Sequence, residues 1–445
     1  MILTEARATL TLALPIIGTQ LAQMAIHGTD VWLLSHYSEL ALGAAALGVA
    51  VLTFLWIMGL GLAMATPAVA AQALGHDPND REGVRHAVHD GLIVTGIYSI
   101  VCTVLLWFSE PFLVLIGQPP ALVELAVPFL QALSGVFLPS VWFMVLRGFV
   151  AALERPRPAM VFMTLAVLLN AAINYVLIFG LWIVPSLGII GAGIGSSLVN
   201  LITLAGLGWY IARDPQFRLY ELSRGWWRST GERLRAYLRV ALPIALALGA
   251  EVGLFSAAAL LMGRLGAAEV AAHQIALQWA SFAFMVPMGL GQAATVRVGL
   301  AAGAGDAAGL RRAGWIAILM GVAFMSCSGL VFLFFAPELV RLYFPDRDSA
   351  VFGLAVSYLG MAALFQLVDG AQAVANGALR GLKDTATPMV MTLVGYWLVG
   401  FPVAVWFGFY TPWVGVGVWG GLAVGLAVVA LLLVWRFWSR SHRLV

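Results

Sequence analysis

The sequence predicts an all-α polytopic membrane protein, with twelve transmembrane helices in two six-helix lobes related by pseudo-twofold symmetry along the membrane normal. Three observations support this fold class. Of the 445 residues, 62% are hydrophobic and only 10% are charged, with a mean hydropathy of +0.95, which excludes a soluble globular protein. Apolar runs long enough to cross a hydrocarbon core of about 30 Å recur along the chain. Short motifs also recur between its two halves.

The apolar runs are separated by polar or Gly/Pro clusters, which mark the predicted helix ends. The first run is too long for the apolar region of a signal peptide and has no small-residue cleavage site after it, so we interpret it as a mature helix. In chain order, the predicted helices are 9–34, 41–73, 87–108, 122–150, 158–183, 189–212, 238–264, 268–300, 312–337, 350–378, 386–409 and 413–437.

Basic residues are distributed unevenly among the connections. Arg264, Arg341 and Arg347 follow odd-numbered helices, whereas the other 21 of the 24 basic residues lie at the termini or around connections after even-numbered helices. Because cytoplasmic loops carry the excess of Lys and Arg, we expect both termini and the linker 213–237 to be cytoplasmic. The preponderance of arginine over lysine is typical of a GC-rich bacterial genome, and we expect a bacterial inner-membrane location.

Four motifs of the first half recur in the second at an offset of 228 to 230 residues, the signature of an internal repeat. Six helices is an even number, so the two repeats share one orientation, and a cavity between such bundles is a usual substrate site. The recurring pairs are Leu14-Pro15-Ile16 with Leu242-Pro243-Ile244, Met58-Gly59-Leu60-Gly61 with Met288-Gly289-Leu290-Gly291, Gly75 and Arg81 with Gly305 and Arg311, and Pro158 with Pro388.

The repeat and the longest polar stretch together predict the domain boundaries. We expect an N-lobe at 1–212, a cytoplasmic linker at 213–237 and a C-lobe at 238–445. Within the linker, Trp226-Trp227-Arg228 fits either an amphipathic interfacial segment or a solvated connector.

Three acidic residues lie well inside predicted helices, namely Asp30, Glu251 and Asp369. The charges nearest to Glu251 are Arg239 and Arg264, which puts Glu251 about 18 Å from either polar flank, near the bilayer centre. A carboxylate there costs several kcal/mol unless it is protonated, paired with a cation or open to water. Paired carboxylates tend to share one proton or cation, so coupling to Na⁺ or H⁺ follows, without a choice between them. In the alternative, each acid is protonated and hydrogen-bonded to a neighbouring helix.

Polar residues spaced four apart accompany these acids. Asn170 and Asn174 share one helical face and either form one N-lobe network with Asp30 or act as interhelical hydrogen-bonding residues. Two further pairs with this spacing fit cavity lining and helix packing equally well: Gln274 with Gln278, and Gln372 with Asn376.

The sequence lacks the motifs of several enzyme classes. GxxxxGK, HExxH and GxSxG are absent, and the only lysine is Lys383. No nucleophile–base pair or metal-ligand spacing lies within a predicted helix. His27 and His273 are isolated histidines, interpreted as hydrogen-bonded structural residues. We therefore expect neither an enzyme, a cofactor nor a nucleic-acid partner. A passive channel is a further alternative, and uphill transport would exclude it.

Four stretches carry a resemblance to a known family. LPIIGTQLAQMAIHGTDVWLLSHYSELALGAAALG, ALPIALALGAEVGLFSAAALLMGRLG, AAHQIALQ and FQLVDGAQAVANGALRGLKDTATPM resemble the NorM branch of the multidrug and toxic compound extrusion (MATE) family, and the resemblance extends over essentially the whole chain. It implies a twelve-helix, two-lobed exporter that couples Na⁺ or H⁺ entry to the efflux of cationic, often aromatic drugs or dyes. We expect a monomer in contact with membrane lipid.

The resemblance also assigns residues. By position it implies a C-lobe cation site, able to take Na⁺, at Glu251 and Asp369, an N-lobe network at Asp30, Asn170 and Asn174, and a drug-proximal position at Gln274.

Two positions depart from the family pattern. NorM-type sites often carry a tyrosine where this chain has Phe365, which leaves H⁺ as plausible as Na⁺. Asn174 replaces the second N-lobe aspartate of other branches. The alternative function, a lipid-linked precursor flippase of the same superfamily, would require a strongly cationic cavity, whereas the intramembrane charges here are acidic.

Overall fold

The computed structural model describes residues 2–181, 184–225, 229–344 and 346–443, so Trp226-Trp227-Arg228 lies outside the described residues. Within these ranges the regular structure is helical, apart from one isolated bridge between Leu181 and Val184, and the predicted all-α fold is confirmed. The α-helices of the first half are α1 (Ile2–Tyr37), α2 (Glu39–Ala63), α3 (Ala65–His76), α4 (Arg81–Trp107), α5 (Glu110–Leu115), α6 (Pro120–Leu133), α7 (Phe137–Ala152), α8 (Arg157–Phe179) and α9 (Gly188–Arg213).

The second half continues the pattern. A π-helical segment, Val394–Gly400, joins α15 to α16, and short 3₁₀ turns lie at Ser134–Val136 and Phe217–Tyr220. The α-helices of this half are α10 (Gly231–Leu265), α11 (Ala267–Gly303), α12 (Ala307–Phe334), α13 (Ala336–Arg341), α14 (Ala350–Gly381), α15 (Ala386–Leu393), α16 (Phe401–Phe409) and α17 (Val414–Arg443).

Eleven segments of the described chain are long and apolar enough to cross a membrane. The remaining long helix, α11, has 37 residues, about 55 Å at 1.5 Å per residue, and carries the polar residues His273, Gln274 and Gln278 near its start. The chain is therefore a multi-pass membrane protein, and the count of twelve spanning helices in two lobes stays a prediction.

The helices differ from the predicted segments mainly at the ends that are predicted to be cytoplasmic. α1 begins at Ile2 rather than at residue 9, and α10 begins at Gly231 rather than at 238. Hydropathy marks a boundary at the first charge, whereas a helix can continue through charged turns at the membrane surface. The predicted segment 41–73 is also divided, because α2 ends before Met64 and α3 follows directly.

The chain forms two compact units. We call them the N-unit (Gly18–Leu74 and Pro78–Ala245) and the C-unit (Met1–Ile17, Gly75–Asp77 and Leu246–Val445). The first turns of α1 thus pack with the C-unit, and the first turns of α10 pack with the N-unit. The predicted lobe boundaries at 212 and 238 stay a prediction.

Each unit contains a close helix crossing built from the repeated motifs. In the N-unit a Cβ on Gly61 would lie 2.8 Å from the backbone N of Ala245, and in the C-unit a Cβ on Gly289 would lie 3.2 Å from the backbone N of Ile17. Both glycines belong to the repeated Met-Gly-Leu-Gly motif, and Ile17 and Ala245 directly follow the repeated Leu-Pro-Ile. The two motifs recur because the helices approach each other at these points.

Ion pairs fix the first turns of α1 and α10. In the N-unit, Arg233 of α10 donates to both oxygens of Asp90 at 3.0 and 3.3 Å, and the Tyr237 hydroxyl donates to the Leu62 carbonyl at 2.9 Å. In the C-unit, Arg297 of α11 donates to both oxygens of Glu5 at 2.9 and 2.8 Å. Bidentate pairs of this kind are among the stronger polar contacts.

Candidate functional site

The N-unit contains a hydrogen-bonded network centred on Asp30 of α1. Asn170 and Asn174 of α8 each donate through Nδ2 to Asp30 Oδ1 at 2.6 Å. Ser196 of α9 donates through Oγ to Asp30 Oδ2 at 3.2 Å. Both asparagines are fully buried. The structure therefore brings together the three residues that the sequence grouped, and adds Ser196.

Glycines let α9 approach this network closely. A Cβ on Gly195 would overlap Oδ1 of Asn174, and a Cβ on Gly191 would lie 2.6 Å from the backbone carbon of Leu177. The Asn174 amide also donates to Asn170 Oδ1 at 3.2 Å and to Ser196 Oγ at 3.3 Å. The two glycines, spaced four residues apart, thus let α9 lie close enough to α8 for the Asn174 amide to reach Asp30, Asn170 and Ser196.

The network can hold one negative charge. Three neutral donors, from Asn170, Asn174 and Ser196, face the two oxygens of Asp30. His27 lies one turn earlier on α1, within electrostatic range of Asp30, and its ring is edge-on to Trp56 with centroids 6.4 Å apart. The His27 side chain lies at the surface of the N-unit, beside this end of the network.

The C-unit contains a second cluster, formed by Glu251 of α10 with Asp369 and Arg380 of α14. The three side chains are 9%, 3% and 8% exposed, so three ionisable groups are removed from solvent together. Glu251 accepts a hydrogen bond from Gln372 and interacts electrostatically with Arg380. Asp369 lies within electrostatic range of Glu251. Two carboxylates and one guanidinium leave one net negative charge when all three are ionised.

Tyr396 completes this cluster from the π-helical segment Val394–Gly400. Its side chain is fully buried and interacts electrostatically with both Glu251 and Asp369, and its hydroxyl has no hydrogen-bond partner among the described residues. The next residue, Trp397, donates through Nε1 to the carbonyl of Ala250 at 3.1 Å. π-Helical turns inside α-helices occur frequently at functional sites.

Oxygen atoms suited to a hard cation converge in the C-unit cluster. Besides the carboxylates of Glu251 and Asp369, Oε1 of Gln372 has no hydrogen-bond partner among the described residues, and the Tyr396 hydroxyl is also available. Na⁺ would find oxygen ligands here, and a proton would find two adjacent carboxylates. Phe365 contributes no oxygen, because its buried ring packs on Phe255 and Trp419 with centroids 6.0 and 6.1 Å apart.

The other predicted site residues lie elsewhere. Asn376 is buried two turns along α14 from Asp369, on the same face. Gln274 and Gln278 lie on an exposed face of α11. The interpretation of His273 as a hydrogen-bonded residue is wrong within the described chain, since neither of its ring nitrogens has a partner there.

The sequence analysis did not identify three residues of these two sites. Arg380 was assigned to the basic cytoplasmic flank, although it follows Asp369 by eleven residues and so lies three turns along the same helical face. Ser196 directly follows the Gly-x-x-x-Gly motif, and that position could have indicated it. Tyr396 carried no sequence signal, because its approach to the acids depends on a π-turn.

The sequence and the fold of this chain are similar to those of known proteins. The family model MatE matches twice, at residues 15–176 and 243–406, which confirms the internal repeat at its offset. "Probable multidrug resistance protein NorM" of Mesorhizobium japonicum is 45% identical over 444 residues, covering 99% of this chain and 95% of the relative. The protein of the same name from Rhizobium meliloti is 42% identical over 443 residues, covering 99% and 94%.

Solved structures share the fold. The eukaryotic MATE transporter AtDTX14 superposes with a TM-score of 0.87 at 22% identity, covering 100% of this chain and 98% of that one. A MOP superfamily transporter from Pyrococcus furiosus, described as having a binding pocket of reverse polarity, superposes with a TM-score of 0.87 at 21% identity, covering 99% and 96%. These likenesses show that the chain has the fold of these transporters.

Proposed function

The chain belongs to the MatE family, and from that membership we propose that it exports cationic, often aromatic compounds in exchange for Na⁺ or H⁺ by alternating access. It is a multi-pass bacterial membrane protein and a multidrug efflux transporter, not an enzyme. Transporters of this family need no cofactor. The proposal concerns the coupling ion, the residues that bind it and the charge of the cargo.

The observation that carries the proposal is the C-unit cluster. Glu251 and Asp369 are both buried, and among the described residues one guanidinium, that of Arg380, interacts with this pair, through Glu251. A buried unpaired charge costs several kcal/mol, so the cluster gains stability when one monovalent cation enters.

Coupling requires that cation and cargo stabilise different states. A ligand shifts an equilibrium only through its differential affinity for the two conformations. Cation entry at Glu251 and Asp369 favours one arrangement of the helices, and cargo binding favours the other. Asp30, held by Asn170 and Asn174, provides a second cation-coupling site in the N-unit.

The buried acids support cationic cargo. A flippase for phosphate-bearing lipid precursors would need an excess of buried positive charge, whereas in each unit's polar site the described carboxyl groups outnumber the guanidinium groups. The predicted topology further supports an inner-membrane location with both termini cytoplasmic. One chain contains both acidic sites, which supports a functional monomer.

Dye efflux from proteoliposomes tests the proposal. Purified protein is reconstituted with a fluorescent lipophilic cation inside, and Na⁺ and pH gradients are imposed separately. We expect wild type to drive efflux under at least one gradient, and Glu251→Gln and Asp369→Asn to lose that drive. Glu110→Gln, which alters an exposed acid of α5, serves as the matched control. Full activity of both variants under both gradients would refute the coupling site.

A further inference from the structure

A second polar cluster lies in the C-unit, near the start of α11. It comprises Glu269 and His273 of α11, Tyr358 of α14 and Trp419 of α17. We propose that this cluster, here called the α11 relay, takes up protons from the outer surface and delivers them to Asp369. This proposal rests on the proposed cation coupling and specifies H⁺ as the coupling ion of that site.

The α11 relay contains an unusual concentration of unpartnered polar atoms. Among the described residues, no hydrogen-bond partner exists for Glu269 Oε2, either ring nitrogen of His273, the Tyr358 hydroxyl or the Trp419 indole nitrogen. His273, Tyr358 and Trp419 are fully buried. Buried polar groups in native proteins are almost always satisfied, by protein or by ordered water. Five such atoms in one cluster indicate a site that holds water.

Two residues of α17, Trp419 and Gly415, connect the four side chains. The His273 ring is edge-on to Trp419 with centroids 5.5 Å apart, and Tyr358 stacks on the same indole at 6.4 Å. A Cβ on Gly415 would overlap the Tyr358 hydroxyl and approach Glu269 Oε2 to 2.7 Å. Glycine at this position therefore lets the phenol and the carboxylate converge on one point of the backbone.

The relay is open at one end and closed at the other. Glu269 is half-buried, in the first turn of a helix whose preceding connection is predicted to lie outside. At the inner end, the Phe365 ring contacts Trp419 with centroids 6.1 Å apart and lies one turn before Asp369. At about 1.5 Å per residue, Tyr358 is about 16 Å and Phe365 about 6 Å from the level of Asp369. Phe365 thus lies between the relay and the acid, and the proton passes to Asp369 when this ring moves aside and water of the relay reaches the carboxylate.

The chemistry of the side chains suits proton transfer. The Glu269 carboxylate accepts a proton from bulk water, His273 takes one on one ring nitrogen and releases one from the other, and the Tyr358 hydroxyl both donates and accepts. Each relay group gives up one proton for each that it receives, so one proton leaves the outer solution and one arrives at Asp369. The ionisable groups of the relay are Glu269 and His273 of α11 and Tyr358 of α14. Tyr358 and His273 both pack on the Trp419 indole.

Proton-driven dye efflux tests this route. We expect Glu269→Gln, His273→Phe and Tyr358→Phe to slow the initial rate of dye efflux under an imposed pH gradient by about tenfold. This loss is smaller than the roughly 10²- to 10⁴-fold that a general acid or base supplies, because water partly bypasses a relay. The solvent deuterium isotope effect on that rate rises. Equilibrium binding of the dye and the midpoint of thermal unfolding stay close to those of wild type for Glu269→Gln, which preserves side-chain size.

Glu338→Gln is the matched control, because Glu338 is an exposed acid of the same unit outside the relay. Equal proton-driven rates for Glu269→Gln and Glu338→Gln would overturn the relay. Efflux driven by Na⁺ and not by a pH gradient would also overturn it, while the proposed function would stand. If neither gradient drives efflux by wild type, both proposals fail together.

Discussion

At the residue scale, Asn174 has the most constrained position in the N-unit. Its amide nitrogen lies within 3.3 Å of Asp30, Asn170 and Ser196 at once, and Gly195 leaves room for its oxygen. A single methyl group on the neighbouring helix therefore reaches the centre of the network. The position of Asp30 therefore depends on Gly195, a residue that has no side chain.

We expect Gly195→Ala to displace Asn174 and weaken the hydrogen bonds to Asp30. The overlap costs about 1–3 kcal/mol, as overpacking in a filled core does, and ion-driven efflux falls because the carboxylate loses its donors. Thermal unfolding and dye efflux measure the two effects.

Gly208→Ala is the control for this substitution. It lies on the same helix with no atom within 4 Å of a new Cβ, so it should stabilise the protein by about 0.4–1 kcal/mol. If Gly195→Ala behaves like Gly208→Ala, Gly195 does not set the position of Asn174.

Arg380 determines the charge of the C-unit cluster. Arg380→Gln leaves Glu251 and Asp369 buried without their cationic partner, a change that typically costs about 3–5 kcal/mol. We expect a lower midpoint of thermal unfolding than in wild type. The double variant Glu251→Gln with Arg380→Gln restores one net negative charge and should recover part of the loss. Equal midpoints for the single and the double variant would show that Arg380 does not pair with Glu251.

At the element scale, the repeated glycines explain why short motifs recur in two halves of the chain whose sequences otherwise differ. Gly61 and Gly289 each meet the backbone of a helix that begins in the other half of the chain. We expect Gly61→Val and Gly289→Val to force these helices apart and reduce the yield of folded protein, measured by size-exclusion chromatography and thermal unfolding.

Gly353→Val provides the comparison, since Gly353 lies on α14 with no atom within 4 Å of a new Cβ, and valine and glycine differ little in helix propensity. Folded yields of Gly61→Val and Gly289→Val that match that of Gly353→Val would exclude a close crossing at both points.

The helices themselves were largely predictable, because apolar runs of spanning length have few alternatives in a membrane. The predicted segment 350–378 and the observed α14, Ala350–Gly381, differ by one turn. That turn contains Arg380. Hydropathy places an arginine outside the membrane, whereas in the structure Glu251 stabilises its burial from another helix, a long-range pairing with no local signal. The π-turn that brings Tyr396 to the acids likewise depends on packing, here of Gly395 and Gly400 against α17.

At the scale of the whole molecule, each unit has a polar site that holds one net negative charge when its carboxyl and guanidinium groups are all ionised. In the N-unit this is Asp30 among neutral amides and a hydroxyl. In the C-unit it is two carboxylates and one guanidinium. The internal repeat thus supplies two acidic sites built from different residues, and one monovalent cation would neutralise each of them in its ionised form.

We therefore expect two cations to enter for each monovalent dye that leaves, which moves one net positive charge inward per turnover. An inside-negative membrane potential should then accelerate efflux at a fixed pH or Na⁺ gradient. The coupling ratio follows from the ion gradient that just balances a known dye gradient in proteoliposomes. Asp30→Asn removes the N-unit charge and should lower the ratio to one, with loss of the response to potential, while Glu110→Gln leaves both unchanged. A ratio of one in wild type, unaffected by Asp30→Asn, would mean that the C-unit cluster alone binds the driving ion and that Asp30 has a structural role.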